Sequence, residues 1–322
     1  MAKASKPLAQ NGKASWLRIP RSGNSLIVLT VIFGFAIILM LRLLPSPQHY
    51  VSIQALSELV RFRVTRPAVA AIAIQDATIN AATENCAALN EASIKAFTGI
   101  VEPAAGAIVT YRFAPDKIAI QIESSGSQTA VLRFSEAADC PLTGAASFVL
   151  DRSGTTASRP LPIVGQTDIG VEFGAPTPPS AGSSRPLGIM WEGTIKVFGR
   201  SYFGGKLYPI ADAEFPLPVG GRLSSGDDLD PSKASNGRDS VPPWYGTATV
   251  ADTGFRISAT TVSKDLKLYR PGTSRGEAET FGLGLLTSLF ADPSVAWFPL
   301  AIAIFTVVMQ TIASWMGVWR ES

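Results

Sequence analysis

The chain reads as a mostly β exported region, antiparallel and sandwich-like, built as one large or two small modules and flanked by two transmembrane α-helices. Three observations give that reading. Residues 25–44 form an apolar run of 20 residues whose one charge is Arg42 near its end, residues 295–318 form a second apolar run, and the stretch between them alternates in short strand-like segments separated by Gly, Pro, Ser and Asp. At about 1.5 Å rise per residue, a helix of the first run spans about 30 Å, the thickness of a bilayer hydrocarbon core.

The first run exceeds the roughly 7–15 apolar residues of a cleaved signal peptide, and Pro45, Ser46 and Pro47 follow it instead of a small-x-small cleavage pattern. It is therefore expected to stay in place as an anchor, with Arg42 reaching to the headgroups along its aliphatic stem. Residues 1–24 form a basic tail that carries Lys3, Lys6, Lys13, Arg18 and Arg21 and no acid, which keeps this end cytoplasmic. Two spans return residues 320–322 to the same side, and Trp297, Trp315 and Trp319 near the ends of the second run suit interfacial aromatic belts. The expected location is a bacterial inner membrane, with both termini cytoplasmic and residues 45–293 periplasmic. No Asn-x-Ser/Thr glycosylation acceptor occurs, in keeping with a periplasm.

The exported part is expected as a first β module over residues 50–173, a linker or long loop over 174–186 and a second β module over 187–270. In the first, Val60, Phe62 and Val64 alternate with Arg61, Arg63 and Thr65, the pattern of a half-exposed strand. Further strand signals follow at 107–113, 117–123, 129–134, 147–150 and 169–173, with no helical pattern between them, which favours antiparallel pairing over βαβ units. The region 76–97 is rich in Ala and Asn and is open to a short helix or an ordered loop. The linker is set by its Pro and Ser content, which holds no regular structure. The second module has strand signals at 189–199, 206–210, 213–218, 244–250, 255–261 and 267–270, and the polar stretch 224–243 is a loop between them. It also repeats the pattern W-x-G-T-x-x-V at Trp191–Val197 and Trp244–Val250; either this is a duplicated unit showing paired aromatics to a ligand, or two strands of one sheet meet the same packing demand. Residues 281–290 are apolar but too short to span and suit a foot in the membrane interface.

The chemistry read from the sequence is mostly exclusion. The single histidine, His49, stands where the first helix leaves the membrane, so Ser-His-Asp, Cys-His and His-based zinc chemistry lack their base or ligand within the exported fold. Gly272, Ser274 and Gly276 match a nucleophile-elbow spacing, but no histidine follows them. Asp227, Asp228 and Asp230 lack the Gly and Glu spacing of a calcium loop. The net charge of +3 comes mainly from the N-terminal tail, so it points to anionic lipid and topology; nucleic acid is not an expected partner, and no cofactor or metal site is expected. Cys86 and Cys140, both exported, are expected to form a disulfide.

The positive signal is a seam on the second helix. Ala296, Pro299, Ala303, Thr306, Gln310, Ala313 and Gly317 recur at steps of three and four and bring small or polar side chains to one side of an apolar helix. Such a seam serves packing against the first helix, through Thr30 and Gly34, or docking to another integral membrane protein. The function expected from these features is a non-enzymatic accessory or scaffold subunit of an inner-membrane assembly that displays a periplasmic β-rich domain for protein–protein interaction. The alternative is a membrane-anchored binding module for envelope glycan or another ligand, with Trp191, Tyr202, Tyr208, Trp244 and Tyr245 as stacking surfaces.

Overall fold

Alternation in the sequence between the two apolar runs is realised as strands. The computed structural model describes residues 49–82, 86, 94–124, 126, 128–134, 139–152, 159–170, 188–201, 205–225, 229, 242–262, 266–272, 278–281, 292, 300, 303–304, 306–307 and 310–311. The chain divides into Met1–Ser46, which lies outside the described residues, and Pro47–Ser322. The basic tail, the first apolar run, residues 174–186 and most of 281–299 therefore also lie outside them. Among the described residues no helix is long and apolar enough to cross a membrane.

The strands in chain order are β1 (His49–Ser57), β2 (Leu59–Val64), β3 (Ile72–Ala82), β4 (Phe97–Pro103), β5 (Ile108–Phe113), β6 (Lys117–Glu123), β7 (Ala130–Arg133), β8 (Cys140–Asp151), β9 (Leu161–Ile169), β10 (Met190–Arg200), β11 (Leu207–Pro216), β12 (Arg222–Ser224), β13 (Trp244–Val250), β14 (Phe255–Val262), β15 (Leu266–Tyr269) and β16 (Glu279–Phe281). They join in one sheet whose main path runs β11-β10-β1-β14-β13-β9-β2-β5-β6-β8-β3-β4-β7, with β12, β15 and β16 branching from β9. Strands from both sides of residues 174–186 are hydrogen-bonded to one another, since β1 lies between β10 and β14 and β9 lies between β13 and β2. In the Ala- and Asn-rich region, residues 76–82 belong to β3, residues 94–95 are helical, and β4 begins at Phe97.

Strand alternation sends one side of this sheet inward. Val60 and Phe62 of β2, Val109 and Tyr111 of β5, Ile120 and Ile122 of β6 and Phe148 of β8 are fully buried, and so are Ile53, Ile195, Phe255 and Ile257 on β1, β10 and β14. Phe255 touches both Tyr111 and Phe113, with ring centroids 6.2 and 6.0 Å apart. Strands β14 and β5 are separated in the sheet by β13, β9 and β2, so the sheet curls until its two halves face each other across one core. The Tyr111 hydroxyl crosses that core and donates to the carbonyl of Pro162 at 2.8 Å.

Two corners make the curl. Between β1 and β2, the Ser57 hydroxyl accepts from the Leu59 N–H at 3.2 Å, and the buried Glu58 carboxylate accepts from the N–H groups of Gly188 and Ile189 at 3.2 and 3.4 Å. Within β9, Gly165 has φ +145°, and a Cβ there would lie 1.8 Å from the Arg63 carbonyl oxygen, so only glycine lets the strands approach. At this glycine β9 pairs on one edge with β13 and, further along, with β12.

A small ring closes the far side of the sheet. Ile72–Ile74 of β3 pair with β4, Thr78–Ala82 pair with β8, and β7 bridges β4 to β8. The switch of partner falls at a bulge where Asp76 has φ 57°, an uncommon conformation for a side-chain-bearing residue. The disulfide Cys86–Cys140 ties the segment after β3 to the start of β8, with a sequence separation of 54 between the bonded cysteines. A loop of that size makes the bond worth about 4 kcal/mol through the unfolded state.

Candidate functional site

The two strands bearing W-x-G-T-x-x-V occupy related places. The pairings Thr194↔Gln54, Gln54↔Ser258 and Ser258↔Thr247 set the threonines of both copies in one row across β10, β1, β14 and β13. The glycines serve close approach: a Cβ at Gly246 would lie 2.4 Å from the Ser258 carbonyl oxygen, and one at Gly193 would lie 2.7 Å from Leu217. Trp244 is fully buried and Trp191 partly so, and both indole nitrogens are buried without an acceptor. This is the arrangement of two strands meeting one packing demand.

Of the five aromatics expected as stacking surfaces, two are buried. Trp244 and Tyr208 turn their rings into the protein and offer no face to a sugar. Tyr245 is exposed, but the Arg66 guanidinium stands 5.7 Å from its ring centroid; Tyr202 lies outside the described residues. Of these described aromatics, Tyr245 alone is exposed, and Trp191 is partly buried.

On the second helix, residues 300, 303–304, 306–307 and 310 are helical and exposed, among them Ala303, Thr306 and Gln310 of the seam; Ala296, Pro299, Ala313 and Gly317 lie outside the described residues. His49 is the first residue of β1 and is buried. Gly272 sits in a turn with φ +79°, while Ser274, Gly276, Asp227, Asp228 and Asp230 lie outside the described residues.

A polar cluster that sequence reasoning missed lies on the face of the sheet opposite the core. Alternation on β9 sends Thr167 and Ile169 inward with Phe62 and Val60, and turns Asp168 the other way beside Arg61. The pairing Ser224↔Asp168 brings β12 alongside, so Asp168 is held from two directions. Arg222 Nη2 donates to Asp168 Oδ2 at 2.8 Å, and the Ser224 hydroxyl donates to Oδ1 at 2.6 Å. The Arg222 guanidinium also stands 5.2 Å from the Tyr269 ring centroid. A parallel link lies beside it, where the Ser225 hydroxyl accepts from the Thr167 N–H at 2.9 Å. Burial raises the Asp168 carboxyl above the ordinary range, while the Arg222 guanidinium, the Ser224 hydroxyl and the Arg61 charge pull it back.

Asp168 and Ser224 are both buried, and each Asp168 oxygen already accepts a hydrogen bond. The cluster fastens β12, and through β12 the β15–β16 branch, to β9. Its members are 54 and 56 residues apart. No local pattern marks them, and only the strand register joins them.

No family model, curated protein or solved structure matches this chain.

Proposed function

We propose that this protein is a non-catalytic accessory or scaffold subunit of a bacterial inner-membrane assembly, anchored by the runs 25–44 and 295–318, with its β domain in the periplasm. The observation that carries the docking role is the open helical stretch in the second run. Leu300, Ile304 and Val307 are 63%, 56% and 61% exposed, a surface that requires lipid or protein around it. Exposed Gln310 adds an amide that gains most from a polar partner in a membrane.

The strand register supports anchoring at a single place. Tyr50 pairs with Val262, Leu266 follows four residues later, and Leu266 pairs with Phe281. Two strand spacings and four residues of chain put Tyr50 and Phe281 no more than about 25 Å apart. Tyr50 comes shortly after the first apolar run and Phe281 shortly before the second, so both connections leave from one end of the domain. The buried disulfide suits an oxidising compartment.

Gentle purification from native membranes tests the role. The expected result is a species larger than the monomer that holds a second integral membrane protein, with Gln310→Leu releasing that protein while the chain stays in the membrane. A clean monomer, with no co-purifying partner, contradicts it.

A further inference from the structure

The end of the domain that holds Tyr50 and Phe281 differs in its surface from the opposite end. The β10–β11 hairpin turns there, because His49 pairs with Gly199 and Arg200 pairs with Leu207. Arg200 and Lys206 are exposed at this turn, and the Leu207 side chain beside them is 58% exposed. A second corner lies near it. The short 3₁₀ turn Pro67–Ala70 follows Arg66, whose guanidinium stands over Tyr245, and Tyr245 pairs with Thr260, two residues before Val262. Val69 in that turn is 55% exposed. Arg66, Arg200 and Lys206 form no ion pair with a described residue.

Exposed aliphatic side chains set among unpaired basic residues suit the headgroup layer of an anionic bilayer: the aliphatic group enters the acyl boundary and the basic group meets lipid phosphate. We propose that this end of the β domain is seated on the anionic membrane surface through Leu207 and Val69, with Arg200, Lys206 and Arg66 against lipid phosphates. The proposal rests on the anchoring of residues 25–44 and 295–318 in the same membrane. It goes further, because anchoring alone does not bring the domain down onto the lipid.

The protein supplies its own control. Val219, in the turn after β11, is 60% exposed, much as Leu207 is. It lies at the opposite end, where Gly220 N–H donates to the Met190 carbonyl and Met190 pairs with Ser57. The experiment uses the full chain carrying Leu207→Cys or Val219→Cys, each labelled with an environment-sensitive fluorophore, in vesicles of phosphatidylcholine with or without phosphatidylglycerol. The expected result is a blue-shifted signal at position 207, quenched by shallow spin-labelled lipid and strengthened by phosphatidylglycerol, with neither effect at 219. Arg200→Glu and Lys206→Glu should each reduce the seated population by about fivefold.

A water-exposed signal at 207 in a chain that resists alkaline carbonate extraction overturns the seating and leaves the anchoring intact. Equal quenching at both positions also overturns it, because the domain then lies flat. A chain released by carbonate overturns the anchoring itself, and the seating with it.

Discussion

The two ends of the β domain are built from the same strands and differ in what closes them. At the end holding the β1–β2 corner, connections are tied down: Glu58 accepts two backbone N–H groups, Ser57 caps Leu59, and Arg152, just after β8, bonds Asp252 in the β13–β14 turn at 3.2 Å. At the other end, the hairpin after β10 and the turn after β2 leave basic and aliphatic side chains open. Backbone polar groups at a sealed end are satisfied within the protein, whereas an open end is complete only against something else. The difference teaches that exposure alone does not distinguish the two ends, since Leu207 and Val219 are nearly equally exposed and only their neighbours differ.

The comparison can be tested from the strongest perturbation downward. Gly165→Ala acts between the ends, where β9 changes partners, and forces a Cβ onto the Arg63 carbonyl in a conformation that L side chains avoid. A loss of more than about 4 kcal/mol in denaturant unfolding is expected; a smaller loss would mean that β9 bends elsewhere. Glu58→Ala attacks the sealed end and leaves the Gly188 and Ile189 N–H groups without their acceptor. It should cost about 2–3 kcal/mol, and hydrogen exchange should rise at Gly188 and Ile189 with the open end unaffected.

The seam between β9 and β12 gives a pH signature. Because the folded protein raises the Asp168 carboxyl above its unfolded value, the folded state holds this proton to higher pH. The stability that this group contributes is therefore fully present below the ordinary carboxylate range and is lost as pH rises through the raised folded value. Asp168→Asn removes the titration, so the unfolding free energy of wild type relative to the variant should fall as pH is raised from about 4. A difference that rises with pH, as for a depressed carboxylate, would contradict the dominance of burial.

Smaller effects complete the series. Tyr111→Phe removes the hydrogen bond to Pro162 and keeps the ring, for a loss of about 1 kcal/mol by thermal or denaturant unfolding. Leu207→Ser and Val219→Ser, one at each end, should both stay within about 0.5 kcal/mol of wild type in detergent. A large loss at either would show that the side chain packs within the fold.

How much of this was legible in the sequence depended on the range of the interaction. The strand of Val60, Phe62 and Val64 was readable because alternation of period two is local, and all three side chains are buried. The disulfide was readable from the chain's two cysteines, both between the apolar runs. The pairing of β1 with β10 and β14 was not, because it joins residues far apart in the chain, and neither was the Asp168 cluster, whose members become neighbours only when β12 is laid beside β9. The burial of Trp244 was not legible for a related reason: alternation tells which residues share a side, but whether Trp244 faces solvent or core depends on where the sheet curls.

The account centres on a domain held outside the membrane by two connections leaving from one end. Single cysteines placed at Asn11, Val219 and Glu321 of the full chain and exposed to a membrane-impermeant maleimide in intact spheroplasts test this directly, since Cys86 and Cys140 are bonded to each other and do not react. The expected result is labelling at 219 in intact cells and at 11 and 321 only after permeabilisation. Labelling of either tail in intact cells, or protection of 219, would contradict it.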